Sequence, residues 1–137
     1  FRKITRDQGA GLNAWIEDAR EFLKAANSPY GKRIEEGLVS LELASDKLTA
    51  LAKEKKFEEV AALSSAMLEM CGTVMGGMAM TRRSTALETV EDKDWAAHQK
   101  RVIDFYMDAV LPQHYALKVQ FESHAGSNIS AASYSLG

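Results

Sequence analysis

Apolar side chains recur every three or four residues along most of the chain, which is the spacing of amphipathic helices. The first predicted helix is defined by Leu12, Trp15, Ile16, Ala19, Phe22, Leu23 and Ala26. It ends near residues 27–29, where Ser28 is a candidate cap and Pro29 a candidate first-turn residue of the next helix. The second predicted helix starts by Arg33 and has its apolar row at Ile34, Leu38, Leu41, Ala44, Ser45, Leu48, Leu51 and Ala52.

The second half of the chain predicts two longer helices, over about residues 57–88 and 92–125. Pro112 removes a backbone donor inside the second of these, so we expect a kink or a break near Val110. Short connections between consecutive helices favour antiparallel neighbours. The predicted fold is therefore all-α: an antiparallel up-down four-helix bundle with two long helices, the last of them kinked near Pro112.

The segment EMCGTVMGGMAMTRR, residues 69–83, places three glycines and four methionines inside the third predicted helix. One apolar row should face the other helices, at Val60, Leu63, Met67, Met70, Val74 and Gly77. A second row lies beside it, at Leu68, Cys71, Met75 and Met78. Small residues form a track at Ser65, Gly72, Gly76 and Ala79. Because each helical glycine costs about 1 kcal/mol relative to alanine, we expect this track to lie against the backbone of another helix.

The third helix also has the length of a membrane span, since residues 60–80 contain one charged side chain, Glu69. That carboxylate lies near the middle of the stretch, where insertion into a bilayer is costly. The other predicted helices are amphipathic and need a partner to cover them. We therefore expect no membrane span.

The fourth helix has more apolar surface than one covered face requires. One row contains Trp95, Val102, Phe105 and Ala109, and the next contains Ile103, Tyr106, Val110 and Leu117. Two interpretations remain open at this point. Either the third and fourth helices contact something outside the bundle, or both are simply central and covered on most sides.

Composition limits the classes of function. The 137 residues carry a net charge of −2, and the basic pairs Arg82–Arg83 and Lys55–Lys56 are short, so a nucleic-acid partner is not expected. One cysteine and a charged start, FRKITRDQ, predict a cytoplasmic protein. Because the chain begins at Phe1, we expect a piece of a longer polypeptide. It should form one domain over residues 1–137, with a loosely held tail at 126–137.

No residue is predicted to be catalytic, cofactor-binding or metal-binding. No glutamate stands three residues before His98, His114 or His124, so the di-iron motif of helical bundles is absent, and one cysteine does not favour zinc. His98 shares a row with apolar residues and is predicted to be a partly buried structural histidine. Cys71 is predicted to be an unreactive apolar residue. Nucleotide-binding glycine motifs and the G-x-S-x-G elbow are also missing.

Three stretches together resemble a known family. MCGTVMGG (70–77) resembles the pattern L-F-G-x-V-x-G-G, and KRVIDFYMDAVLPQHYALKV (100–119) resembles K-x-x-x-x-x-F-Y-x-x-x-x-L-P-x-x-x-A-L. RDQGAGLNAWI (6–16) is similar to the start of the same region. The patterns are those of the C-terminal helical domain of large bacterial acyl-CoA dehydrogenases, the type that includes 3-methylmercaptopropionyl-CoA dehydrogenase. The resemblance extends from Arg6 to Gly126.

The resemblance implies one domain of an oxidoreductase of fatty acid metabolism. In such flavoproteins a glutamate takes the α proton of an acyl-CoA thioester and FAD takes the β hydride, and both groups belong to upstream core domains. None of Glu17, Glu36, Glu69 and Glu122 matches that glutamate. The chain is thus expected to be non-catalytic alone, without a cofactor of its own. It would pack on the dehydrogenase core domains of the same chain, in a full-length homodimer that acts on acyl-CoA.

The chain also departs from the family pattern. Met70 and Cys71 replace Leu-Phe, and His114 and Tyr115 stand where small residues are common. These departures leave undetermined which surface of the chain contacts the partner domains. Two other functions remain as alternatives: a stand-alone helical protein-interaction module with no enzymatic activity, and membrane association through the third helix.

Overall fold

The computed structural model describes residues 7–123, and these residues are helical with no strand among them. In chain order the elements are α1 (Ala10–Ala26), α2 (Gly31–Lys53), α3 (Phe57–Leu87), α4 (Lys93–Phe105), a π-helical segment (Tyr106–Val110) and α5 (Gln113–Ser123). The predicted all-α class is confirmed. The predicted helix end near residue 125 and the tail at 126–137 lie outside the described residues.

The first helix begins and ends at residues that satisfy its free backbone groups. The carboxylate of Asp7 accepts hydrogen bonds from the backbone N–H groups of Gly9 and Gly11, at 3.0 and 3.2 Å. At the other end Asn27 adopts the left-handed conformation, and its N–H donates to the carbonyl of Leu23 at 3.1 Å. Asparagine tolerates this conformation better than most residues, so α1 ends where the sequence predicts.

The connection to α2 differs in part from the prediction. The hydroxyl of Ser28 accepts a hydrogen bond from the backbone N–H of Tyr30 at 3.2 Å, but the N-cap residue of α2 is Tyr30, so Ser28 does not cap the helix itself. The prediction that Pro29 occupies the first turn of α2 was wrong, because α2 begins at Gly31 and the proline lies in the preceding turn.

The core takes one apolar row from each of the first three helices and is completed by the last helix. From α1 it takes Leu12, Ile16, Ala19 and Leu23. From α2 it takes Ile34, Leu38, Leu41, Ala44, Ser45, Leu48 and Leu51. The predicted row of α3, from Val60 to Gly77, is buried throughout. Helices α2 and α3 pack on each other, and both contact α5. The 3.6-residue period thus predicted the buried face of each of these three helices.

The second apolar row of α3 is only partly buried. Met78 is buried, Cys71 and Met75 are half-buried, and Leu68 is 71% exposed. Thr81 is buried next to this row, and its hydroxyl donates to the carbonyl of Gly77 at 2.9 Å. Helix α3 therefore has one buried face and is not enclosed on all sides.

By length and composition α3 is apolar enough to cross a membrane. The core helix of a soluble protein meets the same criterion, and the row from Val60 to Gly77 is buried inside the fold. The hydropathy of α3 therefore does not show a membrane span.

The last helix is interrupted next to Pro112, as predicted. The N–H of Leu111 donates to the carbonyl of Tyr106, five residues back, at 2.9 Å, which closes a π turn. Proline has no N–H and its ring crowds the carbonyl four residues earlier, so a wider turn before it relieves that contact. The N–H groups of His114 and Tyr115 then donate three residues back, and α5 follows.

The last helix keeps one buried row on both sides of the π segment. The buried row is Ile103, Met107, Leu111, His114, Leu117 and Phe121. Of the second apolar row noted in the sequence, Ile103 and Leu117 belong to this buried row, whereas Tyr106 and Val110 are half-buried beside it.

Candidate functional site

The glycine pair of α3 lies against side chains on either side of the π break. A Cβ atom at Gly77 would lie 3.1 Å from Cδ1 of Leu111. A Cβ atom at Gly76 would lie 3.1 Å from Cζ of Tyr106 and closer still to its hydroxyl. That hydroxyl donates a hydrogen bond to the backbone carbonyl of Thr73 at 2.6 Å. The glycine segment and the segment before the proline therefore form a single contact.

The predicted contact between the small-residue track and another backbone was wrong. Gly76 is half-buried and meets a side chain, whereas Ser65, Gly72 and Ala79 are exposed. A Cβ atom at Gly72 would have nothing within 4 Å. Space is required at Gly76 and Gly77, and the structure gives no such reason for the glycine at position 72.

A cavity of about 270 Å³ opens beside the π segment. Met107, Leu111 and Pro112 form its apolar wall. His114 and Tyr115 also line it, with their ring centroids 4.0 Å apart. The wider backbone turn thus lies next to a concave surface that combines apolar and aromatic side chains.

The charged residues at the edge of the cavity interact with one another. Nη1 of Arg33 lies 2.6 Å from Oδ1 of Asp108, and the hydroxyl of Tyr115 donates to the carboxylate of Glu36. Both pairs are exposed, so each contributes modestly to stability. Their charges and donors are nevertheless engaged with each other.

His114 is the buried polar residue of the cavity, with 1% of its surface exposed. Its Nδ1 lies 2.7 Å from the hydroxyl oxygen of Ser40. Burial lowers the pKa of His114 below the ordinary value of 6.5, with Glu36 opposing and Lys118 reinforcing this shift. The imidazole is therefore neutral at neutral pH.

A separate apolar surface runs along the outside of α4. Trp95 is 46% exposed, Val102 44% and Phe105 67%, and Ala109 continues the row into the π segment. Isolated exposed apolar residues are common, but a row along one helix face is typical of a contact surface. Of the two interpretations left open for α4, the structure favours the surface and excludes a helix covered on most sides.

A family model described as "acetyl-CoA dehydrogenase C-terminal like" matches residues 12–131. The chain belongs to this family. No curated protein and no solved structure shows a significant match to the chain. The predicted resemblance to the C-terminal domain of acyl-CoA dehydrogenases is therefore confirmed, and it covers nearly the whole chain.

The acidic residues of this acyl-CoA dehydrogenase C-terminal-like domain are not gathered into a site. Glu17, Glu36, Glu69 and Glu122 are exposed and lie on four different helices. Within residues 7–123 no three His, Cys, Asp or Glu side chains are placed to hold a metal ion. The described part of the domain offers its cavity and its outer surface as candidate functional features.

Two single-residue predictions have different outcomes in the domain. His98 was predicted to be partly buried, which was wrong, because it lies on the exposed face of α4. Cys71 is half-buried, and burial raises the pKa of its thiol, as expected for an unreactive cysteine.

The basic pair Arg82–Arg83 also makes contacts within the fold. Arg82 stacks over the ring of Phe22 at 4.3 Å, and Arg83 donates to Gln99.

Proposed function

We propose that the chain is the C-terminal domain of an FAD-dependent acyl-CoA dehydrogenase, that it is non-catalytic alone, and that it packs on the dehydrogenase core. The parent enzyme would remove hydrogens from the α and β carbons of an acyl-CoA thioester. Membership of the family supports this proposal. The observation that carries the packing role is the exposed apolar row of α4, at Trp95, Val102 and Phe105.

The N-termini of α1 and α4 do not fit the phosphates of FAD. Helix N-termini commonly bind pyrophosphate through free backbone N–H groups. In this chain the carboxylate of Asp7 occupies that position on α1, and the carboxylate of Asp92 accepts a hydrogen bond from the N–H of Trp95 on α4. A phosphate would meet negative charge at both places. The core domains of the parent would therefore hold the flavin.

Covering the α4 row would stabilise a docked arrangement. Complete burial of a large apolar side chain contributes about 1.5–3 kcal/mol. Phe105 is about two-thirds exposed, so its burial alone would add about 1–2 kcal/mol. The net charge of the chain is small, so docking through this row would depend more on apolar contact than on long-range attraction.

We also propose that the helices form a single antiparallel up-down four-helix bundle. Contacting residues run in opposite directions along α2 and α3, and along α3 and the last helix. The pairs are Ile34–Gly77, Gly37–Val74, Thr73–Tyr106 and Arg83–Gln99. The connections between α1, α2, α3 and α4 are short, which also favours antiparallel neighbours.

The first experiment is to measure the size of the native polypeptide by immunoblot of source-cell extract. A band several times larger than 15.1 kDa, in a yellow cytoplasmic fraction that oxidises an acyl-CoA, would support the proposal. Size-exclusion chromatography of that fraction would test the proposed full-length homodimer. A band near 15.1 kDa would refute the dehydrogenase parent and favour the stand-alone interaction module.

A matched pair of variants tests the docking row in the parent enzyme. Phe105→Ser changes a residue of the row, and Phe57→Ser changes a comparably exposed phenylalanine at the start of α3, outside it. We expect Phe105→Ser to lower the melting temperature and the flavin content of the enzyme, and Phe57→Ser to leave both unchanged. Equal effects of the two substitutions would contradict docking through α4.

A further inference from the structure

The hydrogen bonds of Ser40 and His114, beside the π segment, determine which of their atoms carry protons. The hydroxyl of Ser40 lies 3.2 Å from the backbone carbonyl of Glu36, one turn back on α2, and 2.7 Å from Nδ1 of His114. A carbonyl only accepts, so the single hydroxyl proton must go to Glu36 for this contact to be a hydrogen bond. Serine in a helix often donates to this carbonyl.

The second contact then fixes the tautomer of His114. With the serine proton used, Nδ1 of the imidazole must carry a proton and donate it to the oxygen of Ser40. Nε2 of the neutral ring is left without a proton and can only accept. The hydrogen bond of His114 within residues 7–123 is made by Nδ1, which leaves Nε2 for a ligand. A histidine that is 99% buried thus lines the cavity with an unused acceptor.

The remaining walls limit the ligand that this acceptor can receive. Met107, Leu111 and Pro112 favour a short hydrocarbon chain. A volume of about 270 Å³ is near the lower limit for ligand pockets, which favours a molecule of few atoms. A π segment beside a cavity is also a frequent location of functional sites.

Charge distinguishes between ligands of this size. A carboxylate would face the lone pair of Nε2, and it would have to displace Asp108 from Arg33. An ammonium group would meet Arg33, and the two carboxylates of the lining, Glu36 and Asp108, are already engaged with Tyr115 and Arg33, so its desolvation would be costly. A hydroxyl group donates to Nε2 without either penalty.

We propose that this cavity binds a small uncharged alcohol, whose hydroxyl donates to Nε2 of His114 and whose short apolar chain lies on Met107, Leu111 and Pro112. The site is separate from the α4 row and involves none of its residues. Its existence therefore does not depend on the proposed dehydrogenase parent.

The test uses the nitrogen-15-labelled chain and long-range proton–nitrogen NMR of the histidine rings. We expect His114 to show a protonated Nδ1 and a bare Nε2 at neutral pH. Titration with 1-butanol should shift the Nε2 signal, saturating with a dissociation constant in the millimolar range. Butyrate and butylammonium at the same concentrations should leave the signal at least tenfold less perturbed. A protonated Nε2, or equal responses to the three probes, would overturn the proposal.

Two variants separate the cavity from nonspecific solvent effects. His114→Phe removes the acceptor, and we expect it to abolish the saturable response of nearby backbone amides to 1-butanol. His98→Phe makes the same change on the exposed face of α4 and should leave that response unchanged. Undiminished binding by a folded His114→Phe variant would overturn the proposal. If that variant loses helical content by circular dichroism, the wild-type tautomer and probe selectivity decide the question alone.

Discussion

Replacement of Gly76 by alanine tests the contact between α3 and the π segment most directly. The added Cβ would lie 3.1 Å from Cζ of Tyr106 and closer still to its hydroxyl. The ring cannot move away freely, because its hydroxyl donates to the carbonyl of Thr73 at 2.6 Å. The substitution therefore both crowds the ring and breaks its hydrogen bond to Thr73.

The magnitude follows from three effects. Loss of the hydrogen bond from Tyr106 costs about 1 kcal/mol. Crowding in a packed contact costs about 1–3 kcal/mol. Alanine in place of a helical glycine returns about 1 kcal/mol. We therefore expect Gly76→Ala to lower the free energy of unfolding by about 1–3 kcal/mol, against the stabilisation that helix propensity alone predicts.

Gly72→Ala is the matched control, since it is the same substitution one turn earlier in the same helix. A Cβ atom there would have nothing within 4 Å, so only the propensity effect remains. We expect it to raise the free energy of unfolding by about 1 kcal/mol. Urea unfolding followed by circular dichroism at 222 nm measures both variants, and the two changes should have opposite signs.

The double variant Gly76→Ala/Tyr106→Phe tests whether the tyrosine hydroxyl is responsible. With the hydroxyl absent, we expect part of the cost of Gly76→Ala to disappear, with a coupling energy of about 1 kcal/mol or more. Additive effects, or a stabilised Gly76→Ala variant, would refute the reasoning that this glycine is required for space.

Two further predictions concern polar contacts. Hydrogen bonding to Arg20 holds the pKa of Glu42 below its ordinary value of 4.5. The stability that the ionised carboxylate contributes is therefore present above pH 4.5 and is lost as the pH falls through the lowered pKa. Glu42→Gln should therefore reduce the loss of stability between neutral pH and about pH 3. The expected reduction is about 0.5 kcal/mol, because the carboxylate is 38% exposed and solvent screens its ion pair. An unchanged dependence of stability on pH would contradict this prediction. Asp92→Ala removes the acceptor for the N–H of Trp95 at 3.0 Å and should cost about 1 kcal/mol in urea unfolding, whereas Asp94→Ala should cost clearly less.

The faces of the first three helices could be predicted from the sequence because regular α-helices convert residue spacing directly into direction. Leu38 and Leu41 of α2, and Met67 and Met70 of α3, are fully buried as their spacing predicts. In the last helix the spacing left two candidate apolar rows, and the sequence did not show which of them faces the core. The proline could be recognised in the sequence, but the type of turn before it could not.

The cavity could not be predicted. His114 shares the α-helical spacing of Ile103 and Met107, but its partner Ser40 is 74 positions away in the chain. A polar pair at such separation leaves no periodic signal in the sequence. His98, which does share an apolar spacing, lies on the exposed face instead, since that row of α4 faces outward.

The segments that resemble the family serve two different purposes in the structure. Gly76 and Tyr106 contact each other, so the resemblance at these positions reflects the internal packing of the domain and gives no information about a partner. Phe105 is the neighbour of Tyr106 in the same segment, yet its side chain is 67% exposed. Internal packing does not require a large apolar residue at an exposed position. Phe105 is therefore the residue at which the packing of the domain and its proposed docking on a dehydrogenase core can be tested separately.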